Sequence, residues 1–191
     1  MEKFINSFIT IFLAIDPIGI VPTYIALGFA GSKEKLRTSI IYAFFSGLLF
    51  ILIGKSILSI VGITLDDLKI AGGILLIALS IKELLSPTSY YSESEYTDSD
   101  PIVPLTVPLI VGPATLTALL VSSELYGYTA TFVSFVLNLV ICYGILSYSG
   151  WIIRIIGERG IKGISKVTLL LLTAFGVSFI RRGIESIIHN R

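Results

Sequence analysis

What most constrains this chain is a series of long apolar runs with almost no charge. Residues 102–123 and 129–153 contain no Asp, Glu, Lys or Arg, and residues 40–63 contain only Lys55. A membrane-spanning helix needs about 20 predominantly apolar residues. Residues 68–85, with IAGGILLIALSI at their centre, and residues 164–180 supply two more runs. Residues 4–32 supply another, whose one charge is Asp16. The predicted fold is an all-α polytopic membrane protein with six transmembrane segments. Charged residues make up 14% of the 191, against about 25% in a soluble domain. The deficit covers nearly the whole length, which excludes a soluble domain on a single anchor.

Several function classes fall away. A net charge of +1 and the absence of a basic stripe with interleaved aromatics give no reason to expect a nucleic-acid partner. Cys142 is the one cysteine and His189 the one histidine, so neither an intramolecular disulfide nor a metal site is expected. There is no phosphate-binding Walker loop and no nucleophile with a base at usable spacing. The chain is therefore not expected to be an enzyme or to need a cofactor. The start MEKFINSF lacks the basic region and cleavage site of a signal peptide and is kept in the fold.

Cationic residues near the span ends orient the chain. Six spans place Lys33, Lys35, Arg37, Lys82, Arg154, Arg159, Lys162 and Lys166 on one side, in the 33–37, acidic and 154–166 loops. Lys3, Lys69, Arg181, Arg182 and Arg191 fall on the other. The first side is expected to be cytoplasmic, with both termini outside, in a multi-pass cell-membrane protein. The polar stretch 87–101, PTSYYSESEYTDSDP, is then a cytoplasmic acidic loop.

That loop divides the chain into two units, 1–86 and 102–191, which echo each other. PIGIVP (17–22) and PLIVGP (108–113) both read Pro-x4-Pro with a glycine between, and KIAGGILL (69–76) resembles KVTLLLLT (166–173). Gly54 and Gly150 fall in register. Each unit holds three spans, and an odd number inverts the second unit in the membrane. The first span of each would be broken or re-entrant, near 16–22 and near 108–113. As one helix, 4–32 would measure about 43 Å against a hydrocarbon core of about 30 Å. An interior proline removes a hydrogen bond and costs about 3 kcal/mol. Pro22 and Pro113 each suit the first turn of a half-helix. Irregular backbone at membrane depth is tolerated where protein buries it or where it lines a cavity.

The candidate binding residues are accordingly Asp16, Pro17, Ile18, Gly19, Ile20, Val21, Pro22 and Thr23 in the first break. Pro108, Val111, Gly112, Pro113, Ala114 and Thr115 stand in the second. Asp16 suits an N-cap with Pro17 at the first helical position, and intramembrane carboxylates are also commonly functional. Thr115 and Thr117 either bond back to their own helix or line the site. Asn138 is expected to bond between helices. Lys55 is expected to snorkel to the interface, with pairing to a carboxylate as the lesser alternative. Gly72 and Gly73 are expected to permit close helix packing.

DPIGIVP, IAGGILL and PLTVPLIVGPATLTALL together resemble the MarC family of six-helix membrane proteins, which includes small-neutral-amino-acid permeases of the SnatA type. The resemblance runs from Phe4 to about Ile188. It implies transport of small neutral amino acids such as glycine and alanine, coupled to an H+ or Na+ gradient. In the family pattern the glycine of the first motif is followed by Asn, whereas this chain has Ile20. The alternatives are an exporter or channel for other small solutes and a non-transporting membrane scaffold. Coupling ion, direction of transport and oligomeric state, a homo-oligomer included, stay open at this point.

Overall fold

The computed structural model describes residues 1–26, 32–85 and 110–189. They form seven helices and no strand: α1 (Glu2–Ile15), α2 (Ile20–Ala26), α3 (Lys33–Val61), α4 (Leu65–Leu85), α5 (Pro113–Tyr126), α6 (Tyr128–Ser147) and α7 (Ser149–His189). Among the described residues, four stretches are long and apolar enough to cross a membrane: Glu2–Pro22, Lys33–Ile60, Tyr128–Ser147 and Arg159–His189. The acidic stretch 87–101 and Pro108 lie outside the described residues.

Three boundaries differ from those expected. Residues 33–37 are not a connecting loop but the opening turns of α3, because Lys, Glu, Leu and Arg are all good helix formers. The run 129–153 is not one helix, since the chain turns at Tyr148 and restarts at Ser149. Nor is 154–166 a loop. It belongs to α7, which is interrupted at Gly157, whose φ of 71° and ψ of 159° suit glycine. At the other end of α3, Gly62 closes the helix in the left-handed conformation, its N–H turned back to the Leu58 and Ser59 carbonyls. Thr64 then opens α4 with a reciprocal cap. The Asp67 N–H donates to Thr64 Oγ1 at 3.1 Å, and the Thr64 N–H donates to Asp67 Oδ2 at 3.0 Å.

Side-chain contacts fix how the helices run. The Ser134 hydroxyl donates to the Phe4 carbonyl at 3.3 Å, and Asn138 Nδ2 donates to the Phe8 carbonyl at 3.2 Å. A step of four on both helices makes α1 and α6 parallel. Gly47 lies beside Leu119, and Lys55 pairs with Glu124, so α3 and α5 are parallel too. Asp66 meets Ser186, Ile70 meets Gly183, and Gly73 meets Gly176, so α4 and α7 are antiparallel.

The α4–α7 pair meets backbone to backbone. A Cβ on Gly176 would stand 2.7 Å from the Gly73 carbonyl oxygen, and one on Gly73 would strike the Gly176 carbonyl. Gly72 faces the Thr117 methyl of α5. The two glycines therefore do permit close packing, and in lipid such contact is a main source of helix association. The outer surface is apolar as well: Phe45, Leu49 and Leu52 of α3 and Trp151 and Leu170 of α7 are exposed, as a hydrocarbon solvent requires.

Gly73→Ala is expected to lower the thermal unfolding midpoint of detergent-solubilised protein, at a cost of about 1–3 kcal/mol for overpacking. Gly144→Ala is the control. A Cβ there meets nothing within 4 Å, so the midpoint should hold or rise, since alanine favours a helix over glycine by about 1 kcal/mol.

Candidate functional site

The first span breaks because Pro17 has no N–H to give the Leu13 carbonyl. Asp16 closes α1 in the left-handed conformation, φ 45° and ψ 62°. Among the described residues it is the one non-glycine with positive φ, a conformation that Asp tolerates better than most. Its own N–H donates to the Phe12 carbonyl at 2.9 Å. Its carboxylate folds forward, and Oδ1 accepts the Gly19 N–H at 3.2 Å. The Asp16 carbonyl accepts the Ile20 N–H at 3.1 Å. Pro22 also lacks an N–H, and the Ile18 carbonyl instead accepts from Val21 at 3.2 Å. Asp16 is thus a cap, but not the one expected. Pro17 does not begin the next helix; α2 starts at Ile20, and Pro22 stands in its first turn.

The carboxylate has a further partner from far along the chain. The Ser165 hydroxyl of α7 donates to Asp16 Oδ2 at 3.0 Å. Gly19 makes room for it: a Cβ there would run into the Asp16 carboxylate and stand 2.7 Å from Ser165 Oγ. Sequence reasoning missed Ser165, which is 149 positions away and unremarkable within its apolar run.

The second break meets the first. Gly112 is extended, with φ −90° and ψ −177°, and α5 begins at Pro113. The Thr115 hydroxyl lies 3.0 Å from the Ile110 carbonyl and 3.3 Å from the Ala14 carbonyl in the last turn of α1. Ile15, Ile20, Val21, Ile110 and Val111 share one buried apolar cluster, against which Ile18 packs. Pro17 is buried and Ala114 half-buried. The structure therefore brings Asp16–Val21 together with Ile110–Thr115. Pro108 and the side chains of Thr23 and Pro113 lie outside the described residues.

The secondary candidates stand elsewhere. Thr117 packs its methyl on Gly72, while Asn138 donates to the Phe8 and Ser134 carbonyls and ties α6 to α1. Lys55 departs from the expectation of snorkelling alone: it forms an ion pair with Glu124, 5.6 Å from the centre of the Tyr128 ring. Glu124 is the first charge after the neutral run 102–123, and the parallel packing of α3 and α5 delivers it. Two surface grooves, of about 800 Å³ along 55–64 and about 340 Å³ between α3 and α6, include none of the break residues.

Chemically, the two breaks carry opposite signs. The Asp16 carboxylate stands at the C-terminal, negative end of a 14-residue helix, where cations are favoured. Gly112 offers α5 no side-chain cap, so the Ala114 and Thr115 N–H groups favour an anion. Among the described residues, no group of three or more His, Cys, Asp or Glu could hold a metal.

A separate polar cluster ties the start of α4 to the end of α7. Asp66 Oδ1 accepts from Lys69 Nζ at 2.8 Å, and Oδ2 accepts from the Ser186 hydroxyl at 2.9 Å. The bond from Lys69, opposed by burial and reinforced by Ser186, holds the Asp66 carboxyl below its ordinary value. Thr64 does the same for Asp67 through its hydroxyl and N–H. A pKa lowered by folding adds stability that is present above the unfolded value and lost as pH falls through the folded one. Carboxyl carbon-13 titration should give midpoints for both residues below about 3.9, and Thr64→Ala should move the Asp67 midpoint upward.

Residues 1–188 match the family described as MarC family integral membrane protein. The chain is similar to UPF0056 membrane proteins over nearly their full lengths. One from Archaeoglobus fulgidus is 34% identical, covering 96% of this chain and 93% of its own. One from Methanocaldococcus jannaschii is 32% identical, covering 97% of each. YhcE of Escherichia coli is 29% identical, covering 96% and 93%. No solved structure matches. The chain belongs to the MarC family and is an integral membrane protein.

Proposed function

We propose that this protein is a secondary transporter of small neutral amino acids such as glycine and alanine, coupled to an ion gradient and built as two inverted three-span repeats. The observation that carries the reading is the meeting of two broken segments at Thr115, with a carboxylate on one and uncapped amide donors on the other. A zwitterion needs both. Its ammonium would favour Asp16 and the carbonyls that end α1, and its carboxylate the Ala114 and Thr115 N–H groups. Ile18, Ile20 and Val111 would leave room for a small side chain only.

Helix direction supports the inverted repeat. An axis in the membrane plane that exchanges the two units carries the parallel pair α1–α6 onto the parallel pair α5–α3. It carries α4–α7 onto itself, which requires that pair to be antiparallel. The described contacts run in these directions. The 14 residues of α1 span about 21 Å, which puts Asp16 past the middle of a core of about 30 Å. There an ionised carboxylate costs about 2.5–3.5 kcal/mol on insertion scales, a cost that a bound cation offsets.

In proteoliposomes, the wild type should accumulate labelled glycine or alanine when a proton or sodium gradient is imposed. Asp16→Asn keeps the capping oxygen and should fold, but lose gradient-driven uptake while exchange survives. Equal uptake by a monodisperse Asp16→Asn protein would remove the carboxylate from coupling. A channel would show flux without uphill accumulation, and a scaffold no flux at all.

The proposed orientation has both termini outside and the 33–37 end of α3 in the cytoplasm. Lys33 and His189 are exposed. In a Cys142→Ser background, Lys33→Cys and His189→Cys should react with a membrane-impermeant maleimide from opposite sides. Labelling of both from one side would refute the six-span arrangement.

A further inference from the structure

Ser165 has no part in the proposed binding of substrate, yet it makes the long-range hydrogen bond from α7 to the Asp16 carboxylate. The two ends of the helix beyond Gly157 are held differently. The far end is clamped to α4 backbone against backbone. Gly73 and Gly176 face each other's carbonyls, Gly183 would put a Cβ 3.0 Å from the Asp66 carbonyl, and Ser186 bonds to Asp66. Ser165 and Ser186 are 21 positions apart, about 32 Å along a helix, the thickness of a bilayer core. The near end begins at Gly157, where the helix is interrupted and a Cβ would meet nothing within 4 Å. Between that interruption and the clamp, Ile161 is wholly buried in the cluster that holds Ile15, Ile20 and Val21, and Ser165 bonds to Asp16. One end of the helix is fixed, and the other rests on the break.

We propose that Ser165 is the positioning residue through which Asp16 reports its occupancy to α7. The hydroxyl holds Oδ2 when the site is empty. A monovalent cationic group, whether the ammonium of a substrate or a sodium ion, displaces it and frees the near end of α7 while the α4 clamp stays closed. This rests on the transport reading for its ligand class, and it follows from the chemistry of the acceptor. Oδ1 accepts the Gly19 N–H, a donor fixed by the backbone, whereas Oδ2 accepts a rotatable hydroxyl from α7. A cation at Oδ2 repels the positive end of the O–H dipole. Only one repeat carries the pair. In the internal alignment Asp16 falls opposite Val107 and Ser165 opposite Leu68, so the response belongs to one side of the pseudo-symmetric core.

The test is thiol accessibility in phosphatidylethanolamine–phosphatidylglycerol vesicles. The reporter is Ile161→Cys in a Cys142→Ser background, with Val21→Cys, equally buried, as a second reporter should the first not fold. Glycine without sodium and sodium without glycine are the two arms. One or both should raise the maleimide reaction rate roughly tenfold, within the range of ordinary site-to-site coupling, and the responding arm identifies the cation. Ser165→Ala should react fast with or without ligand, and Ser165→Thr should restore the response. Ser186→Ala removes the corresponding bond at the clamped end and should respond as the wild type does. A ligand response in Ser165→Ala equal to the wild type, equal behaviour of Ser165→Ala and Ser186→Ala, or no response in either arm overturns the proposal. Glycine flux by the wild type without an accessibility response overturns this inference and leaves the transport reading standing. A response without flux of any amino acid does the reverse.

Discussion

The backbone hydrogen bond that Pro17 cannot make sets the architecture around it. A helix in hydrocarbon must satisfy its own backbone groups, because lipid offers no partner. Pro17 removes the donor for the Leu13 carbonyl and Pro22 removes the one for Ile18, so the backbone around the break needs other arrangements. Locally, the Val21 N–H donates to the Ile18 carbonyl, and the Asp16 carboxylate accepts the Gly19 N–H that the broken turn would otherwise leave over. Over distance, the Thr115 hydroxyl reaches the Ala14 carbonyl. The break is therefore tolerable only with the second break packed against it, and the packing of α1, α5 and α6 follows from that need.

The same constraint explains why Asp16 cannot be sorted into cap or functional group. Its carboxylate does the work of a missing helical turn by accepting the Gly19 N–H. Its other oxygen is turned to α7, where Gly19 makes space for Ser165. A neutral cap would serve the first task as well, since Asn and Asp cap about equally. What Asn cannot supply is negative charge beside the negative end of α1, a position that favours a cationic neighbour.

The sequence made the apolar spans, the two proline breaks and the packing role of Gly72 and Gly73 legible, because each is a local signal: length, a missing donor, a missing side chain. It did not disclose how one segment is delivered to another. Ser165 reads as an ordinary small residue in an apolar helix until α7 lays it beside Asp16. Lys55 reads as a snorkelling residue until α3 and α5, lying parallel, bring Glu124 to it. The helical state of 33–37 and 154–166 was missed for a different reason. Charge marks where a span leaves the hydrocarbon, but the Lys, Glu, Leu and Arg of 33–37 give a helix no reason to stop there, and 154–166 continues as helix on both sides of Gly157.

The two-unit arrangement gives the asymmetry of the site its meaning. In the proposed inverted repeat, a pseudo-two-fold axis would make the helix pairs equivalent, and backbone alone would offer two similar half-sites facing opposite sides of the membrane. Side chains remove the equivalence. The first break contributes a carboxylate at the negative end of α1; the second contributes Gly112, without a side chain, and the amide donors behind Pro113. One half-site prefers cations and the other anions, so an ion of a single sign fits only one of them. A short zwitterion is complementary to both at once, and its length is limited by how closely Thr115 draws the two breaks together. On the proposed transport reading, substrate size would be limited by the same hydroxyl that joins the two breaks.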